Sequence, residues 1–357
     1  MPASLVHMLV SHKAVKRLCD SKDKGEADFA ATLDNEQKGN RSYVNLGSVG
    51  PDLYYFKTLK KQIVSETWKK IRKFLKKGIE KRIAKKKLLT PAGVVPFSYH
   101  LHSAVPNEFV LHLMEIIFKD VKRDDGNANI DDTDHKKLAY VAGHLTHIAA
   151  DQIVHPLVNE VAGPYYICEK NREKHRECEV YQDYYVYREL YKDKNQNEDR
   201  YNFFSQDFHK WVDSVRKGTF ESTWKWFRHF LQRGFSETYG GFPKEDEIED
   251  SVDNLLLVLR VCKDVGPYAE AKEDYQVGGE KFRIYVEDTN YMEYFEEAVK
   301  LSVVYLQALY QVYDILRKGE SFTKPKKRKF LKVVSEADLS CPLEKDILKN
   351  AKEALQR

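Results

Sequence analysis

A chain of 357 residues with 42% hydrophobic, 12% aromatic and 32% charged side chains carries enough apolar surface for a substantial core, which excludes disorder over most of its length. Its 17 Gly and 11 Pro exclude a collagen-like or linker character, and no run of about 18 apolar residues offers a membrane-spanning helix. The 59 basic and 55 acidic residues nearly cancel to +4, too small an excess to imply nucleic acid from net charge. The five cysteines are scattered, with no C-x-x-C pair, so any bound metal is left to nitrogen and oxygen ligands in a reducing compartment. No basic-then-apolar leader is visible after Met1, and the expectation is a cytoplasmic protein, peripheral to a membrane at most.

In chain order, Leu46 to Asp52 reads as a Gly/Pro loop that ends in a carboxylate. From Ile63 the apolar positions Ile63, Val64, Trp68, Ile71, Leu75, Ile79 and Ile83 step by three and four, which predicts an amphipathic helix. Phe109–Phe118 and Leu138–His155 share that spacing, with Pro156 expected to stop or kink the second helix. Between them, Asp120–Asp134 reads as an acidic surface loop. The polar stretch Lys192–Arg200 follows. Helical spacing returns at Phe220–Phe230, Val252–Val265 and Tyr291–Leu316, the last closed by Arg317, Lys318 and Gly319. Tyr275–Val286 reads as a hairpin turning at Gly278-Gly279. Lys324–Lys329 reads as a solvated basic linker before a short final helix. The predicted fold class is all-α, with a catalytic unit over 1–195 and a helical extension packed on it over 196–357.

Eight of the 12 histidines fall between His100 and His175. On a helix at about 100° per residue, His144, His147, Asp151 and His155 lie within about an 80° arc. His147 and Asp151, four apart, can share one metal, and His155, one turn on, can serve a neighbouring ion. His144 suits a supporting role. His175 and Glu179 repeat the i, i+4 pairing and complete a three-ligand set with His155. Asp52, His100 or His102, and His7 add donors from three further segments. About eight nitrogen and oxygen ligands exceed the four of a closed zinc site and suffice for two or three ions.

The order His7, Gly-Pro-Asp52, His100/His102, His147-x-x-x-Asp151-x-x-x-His155 and His175-x-x-x-Glu179 resembles the zinc-dependent phospholipase C family, over roughly residues 1–190. That family includes the N-terminal domain of glycosylphosphatidylinositol-specific phospholipase D and shares its fold with the fungal single-strand nucleases. The resemblance implies an all-α fold holding three zinc ions in a cleft. Asp52, one of His100 and His102, His147 and Asp151 would hold the first. His155, His175 and Glu179 would hold the second. Asp151 would bridge to a third ion held by His7, and Asp52 would be the catalytic base. Two features depart from the secreted bacterial enzymes. Those use a processed amino terminus with its Trp as third-site ligands, whereas this sequence begins Met-Pro-Ala-Ser, which leaves that site vacant, weak, or completed by water or His12. The step from Asp151 to His155 is also shorter than theirs and matches the phospholipase D domain. Between His100 and His102 the sequence does not decide, and His102 is preferred.

The chemistry so implied is zinc-dependent phosphodiester hydrolysis of a phospholipid headgroup, with Zn2+ as cofactor. No Gly-rich phosphate loop and no G-x-S-x-G supports nucleotide or serine chemistry. Residues 57–87 carry 14 Lys or Arg against Glu66 and Glu80, a composition suited to peripheral contact with an anionic membrane. Tyr54, Tyr55, Phe56, Tyr181, Tyr184 and Tyr185 are candidates for an aromatic wall around a headgroup, with core packing as the alternative. Two rival readings stay open: a single-strand nuclease-like phosphodiesterase, and a zinc-bound helical binding module without catalysis.

Overall fold

The computed structural model describes residues 4–58, 96–103, 105–124, 127–165, 167–191, 221–261, 267–334, 339 and 346–356. The helix expected at 63–83, most of the basic segment 57–87 and the stretch Lys192–Arg200 lie outside the described residues. Within them the chain is all-α apart from one small hairpin. The helices are α1 (Ser4–Cys19), α2 (Lys24–Leu33), α3 (Asn40–Ser48), α4 (Pro96–Ser103), α5 (Pro106–Asp120), α6 (Asp132–Ala162) and α7 (Glu169–Tyr191). There follow α8 (Glu221–Tyr239), α9 (Glu245–Val261), α10 (Pro267–Val277), α11 (Tyr291–Arg317), α12 (Lys324–Val333) and α13 (Ile347–Gln356). A 3-10 turn occupies Leu53–Thr58.

α6 is the axis of the molecule. Asp131 caps it, accepting from Thr133 N (2.8 Å) and Asp134 N (2.9 Å), while Asp134 reaches back to Asp131 N (3.4 Å). Every residue from Lys137 to Gln152 is buried, so α6 is enclosed on all sides rather than amphipathic. α1, α2, α3, α5, α7 and α11 surround it, α8 covers α5, and α12 with α13 covers α11. The C-terminal half is therefore integral to the core: Tyr305 on α11 donates to Gln152 Oε1 at 2.5 Å.

α3 approaches α6 closely because two glycines face each other's backbone. A Cβ on Gly47 would meet the Tyr140 carbonyl at 2.1 Å, and one on Gly143 would meet the Val44 carbonyl at 2.0 Å. This contact carries the chain from α3 directly to Asp52. Gly143→Ala is expected to destabilise the fold by about 1–3 kcal/mol through overpacking and to weaken metal uptake by displacing Asp52. Denaturant titration together with zinc analysis checks both effects.

Four local expectations are corrected. Pro156 does not stop α6, which runs on to Ala162; Val158 and Ala162 are buried, and their packing outweighs one missing hydrogen bond. Tyr275–Val286 is helical, not a hairpin. Gly278 (φ +63°) ends α10, Gly279 N donates to Asp274 O (2.8 Å), and the Asp274 carboxylate then caps the next helical turn through Phe282 N (2.7 Å). The glycine pair thus serves a helix end, and helical turns over Glu280–Phe282 and Arg283–Glu287 follow. Asp120–Asp134 is not wholly loop, because Lys122–Asp124 pairs antiparallel with Asn127–Asn129. Lys324–Lys329 is the first part of α12, whose Phe330 and Val333 are buried.

Candidate metal centre

Five segments converge on one buried cluster. α6 contributes His147, Asp151 and His155, successive turns of one face. α1 contributes His7, the turn after α3 contributes Asp52, α4 contributes His102, and α7 contributes His175 and Glu179. All eight are buried, His147 fully and His155 at 9% exposure.

The donor atoms form three groups: His7, His147 and Asp151; Asp52, His102 and His147, which shares His147 with the first; and His155, His175 and Glu179. Asp151 joins them. Its Oδ2 is 3.1 Å from His147 Nε2 and 3.5 Å from His102 Nε2, and its Oδ1 is 3.4 Å from both His7 Nε2 and His155 Nε2. Asp52 Oδ1 is 3.2 Å from His102 Nε2, and its Oδ2 is 3.7 Å from His7 Nε2. Glu179 Oε1 is 3.2 Å from His175 Nε2 and 3.5 Å from His155 Nε2.

These spacings fit zinc. A tetrahedral ion at about 2.0–2.1 Å from nitrogen or oxygen ligands separates them by about 3.3–3.4 Å. His102 Nε2 and His147 Nε2 are 3.3 Å apart. The histidines also present the correct tautomer. His147 Nδ1 donates to Ser48 O (2.9 Å), His102 Nδ1 to Ser98 O (2.6 Å) and His155 Nδ1 to Leu339 O. A carbonyl only accepts, so each Nδ1 carries a proton and each Nε2, whose lone pair is the one left for a metal, faces the cluster. Asp151 Oδ2 is left buried with no hydrogen-bond donor, an orphan that a cation would satisfy. With every imidazole neutral, as ligation requires, the three carboxylates give the cluster −3. Two zinc ions would leave +1 and three would leave +3, either of which attracts a phosphodiester anion.

The protonation tendencies follow from shared charge. Burial opposes a proton on His155, but Asp151 and Glu179 outweigh it and raise its pKa to about 10. Burial and the neighbouring His147 lower that of His7 to about 4; the two rings stack at 3.9 Å. Despite burial, the His147 and His155 charges hold Asp151 well below the usual carboxylate range. Despite burial, His175 and His155 depress Glu179 as well.

Several residues singled out from the sequence lie elsewhere. His100 is half-buried and stacks on Tyr239 with ring centres 5.2 Å apart, outside the three groups. His12 Nε2 lies 2.8 Å from Asn45 Oδ1 and belongs to none of them. His144 is a core residue against Phe109, with neither ring nitrogen partnered. Tyr54 packs on Phe97 and Phe235, and Tyr181, Tyr184 and Tyr185 pack on Tyr285, Tyr275 and Phe282. Of the described aromatic candidates Tyr55 borders the cluster, 5.7 Å from the His102 ring, while the Phe56 side chain lies outside the described set.

Sequence reasoning missed Tyr165, whose ring meets Tyr55 at 6.0 Å and His175 at 5.1 Å. It also missed Asp183, which accepts from Val6 N (2.7 Å), Leu5 N (3.3 Å) and the Tyr268 hydroxyl, tying down the first turn of α1 that carries His7. Burial pushes the Asp183 carboxyl up to about 7. A spacing of four from Glu179, continuing the ligand face of α7, was the available signal. The acceptor carbonyls of Ser48, Ser98 and Leu339 carry no side-chain signature at all.

No helix among the described residues is long and apolar enough to cross a membrane. No curated protein and no solved structure matches the chain. A model of the family described as zinc dependent phospholipase C matches residues 6–235, a span that contains all eight clustered side chains. With that match over more than half its length, the chain belongs to the zinc-dependent phospholipase C family.

Proposed function

We propose that this protein hydrolyses the headgroup phosphodiester of a phospholipid, with Asp52, His102, His147 and Asp151 holding one zinc and His155, His175 and Glu179 a second. His7 and Asp151 would hold a third. The observation that carries the reading is that His147 is shared by two donor groups and that Asp151 lies within 3.5 Å of a histidine nitrogen of every group. Bound zinc supplies acidified water and neutralises the diester's charge.

The chain's own residues do the rest. Asp52 lies between the His7 and His102 nitrogens and is the carboxylate we assign to take the proton of the attacking water. The water oxygen bonds to phosphorus as the bond to the glycerol oxygen breaks, and that oxygen leaves with the proton that Asp52 took up and returns. A phosphorylated headgroup and a diacylglycerol result. Tyr55 and Tyr165 border the cluster. We assign the basic segment 57–87 to an anionic lipid surface on its charge alone, and the extension beyond residue 195 to packing on the catalytic unit.

The test compares purified zinc-loaded protein on phosphatidylcholine vesicles and on single-stranded DNA. Release of water-soluble phosphorylated headgroup without acid-soluble nucleotide is expected. Comparable cleavage of DNA would replace this reading with the nuclease one. Two or three bound zinc equivalents with neither substrate consumed would make the protein a binding module.

A further inference from the structure

Leu339 lies about a hundred residues beyond the end of the family match, yet its peptide touches two of the clustered histidines. Leu339 N donates to His102 O at 2.8 Å, and Leu339 O accepts from His155 Nδ1. Its side chain is fully buried. The chain is brought there by α12: Phe330, Val333 and Val334 are buried, and Asn107 Nδ2 on α5 donates to Val334 O at 3.2 Å.

Both contacts have consequences for the donor atoms. His102 sits in the last turn of α4, where carbonyls lack intrahelical partners, so the Leu339 N–H fixes the helix end that carries the ring. The Leu339 carbonyl holds the His155 proton on Nδ1, which leaves Nε2 free to face Glu179 and Asp151 at 3.5 Å and 3.4 Å. The main chain of one residue thus sets the position of the His102 donor relative to the His155 donor, which belongs to a different group.

We propose that the main chain of Leu339 is a positioning clamp for the His102 and His155 ligands, so that the working metal centre of this protein requires its C-terminal region. The inference rests on the zinc reading above. It is tested in the full-length chain with two variants. Leu339→Pro removes the N–H and alters the backbone; Leu339→Ala keeps both peptide contacts and removes only buried apolar volume.

The readouts are zinc equivalents retained against a competing chelator, the absorption of bound Co2+, and the melting temperature. Leu339→Pro is expected to weaken metal binding by about 10- to 100-fold, the usual cost of losing a ligand-orienting contact. Leu339→Ala is expected to stay within about threefold of the parent protein. Equal metal affinity in Leu339→Pro and the parent, or an equal loss in both variants, would overturn the clamp while leaving the zinc reading intact. A parent protein that binds no zinc would overturn that reading and the clamp with it.

A measurement on the unmodified metal-free protein keeps the proposal testable if Leu339→Pro does not fold. Nitrogen chemical shifts of the His155 ring are expected to show a hydrogen-bonded proton on Nδ1 whether or not Nε2 also carries one. An Nδ1 without a hydrogen-bonded proton would overturn the clamp.

Discussion

Asp151→Asn should remove most of the bound zinc and lower phosphodiester turnover by on the order of 10³-fold or more, comparable to or exceeding the loss of a single oxyanion contact in other enzymes. The size of the effect follows from Asp151's place. Its two oxygens face four imidazole nitrogens at 3.1–3.5 Å, so no other side chain in the cluster serves all three donor groups. Asparagine keeps the shape but removes the charge, and its amide N–H₂ would face lone pairs that need a cation. The group of His155, His175 and Glu179 keeps its own donors, so a fraction of the metal should remain there, weakened by the lost neighbouring charge. His102→Ala should also lose metal, whereas His100→Ala, stacked on Tyr239 away from the cluster, should stay within about threefold of the parent. Zinc per chain by elemental analysis, measured alongside turnover, checks the set. Full zinc content and full activity in Asp151→Asn would remove the basis of the proposed site.

The parts of this arrangement that could be read from the sequence are local ones. His147, Asp151 and His155 fall on one helical face by spacing alone, and His175 with Glu179 repeats the pattern, because i, i+4 neighbours meet on any helix. Convergence of the five segments is not local, and the order of motifs along the chain was the only guide to it. Glycine shows the limit well. Gly47 and Gly143 read as loop and helix-interior residues, but their role is close backbone approach, which depends on a partner about a hundred residues away. Gly278-Gly279 has the composition of a hairpin turn, and the neighbouring Asp274 cap makes it a helix boundary instead. α1 escaped notice because its apolar residues Leu5, Val6, Met8, Leu9 and Val10 are nearly contiguous, burying its first half all round and blurring the periodic stripe. The Leu339 contact with His155 spans 184 positions and uses only the backbone of Leu339, so its residue type does not announce it.

Zinc should stabilise the protein more at pH 8 than at pH 6. In the metal-free chain His155 holds a proton up to about pH 10, and zinc must displace it to reach Nε2. Each unit of falling pH therefore costs that ligand group about tenfold in apparent affinity. The metal-free chain follows the opposite trend. His155, raised above its ordinary value of 6.5, contributes stability that is fully present below pH 6.5 and is lost as the pH rises through about 10. Asp151 and Glu179, depressed by their histidine neighbours, contribute stability that is present above the ordinary carboxylate range and disappears in acid. The chelated protein should accordingly be most stable in mildly acidic buffer. Asp183, raised to about 7 by burial, lowers stability with rising pH in both states and leaves their difference unchanged. At a free zinc concentration about 100 times the dissociation constant, the gain is about 2.7 kcal/mol, or roughly 4 °C in melting temperature for a chain of this size. Thermal melts with zinc and with chelator at pH 6, 7 and 8 measure the gap directly. Calorimetry in buffers of different ionisation enthalpy should show proton release on zinc binding at pH 7. A gap that narrows toward pH 8 would mean that His155 does not carry the proton that zinc replaces.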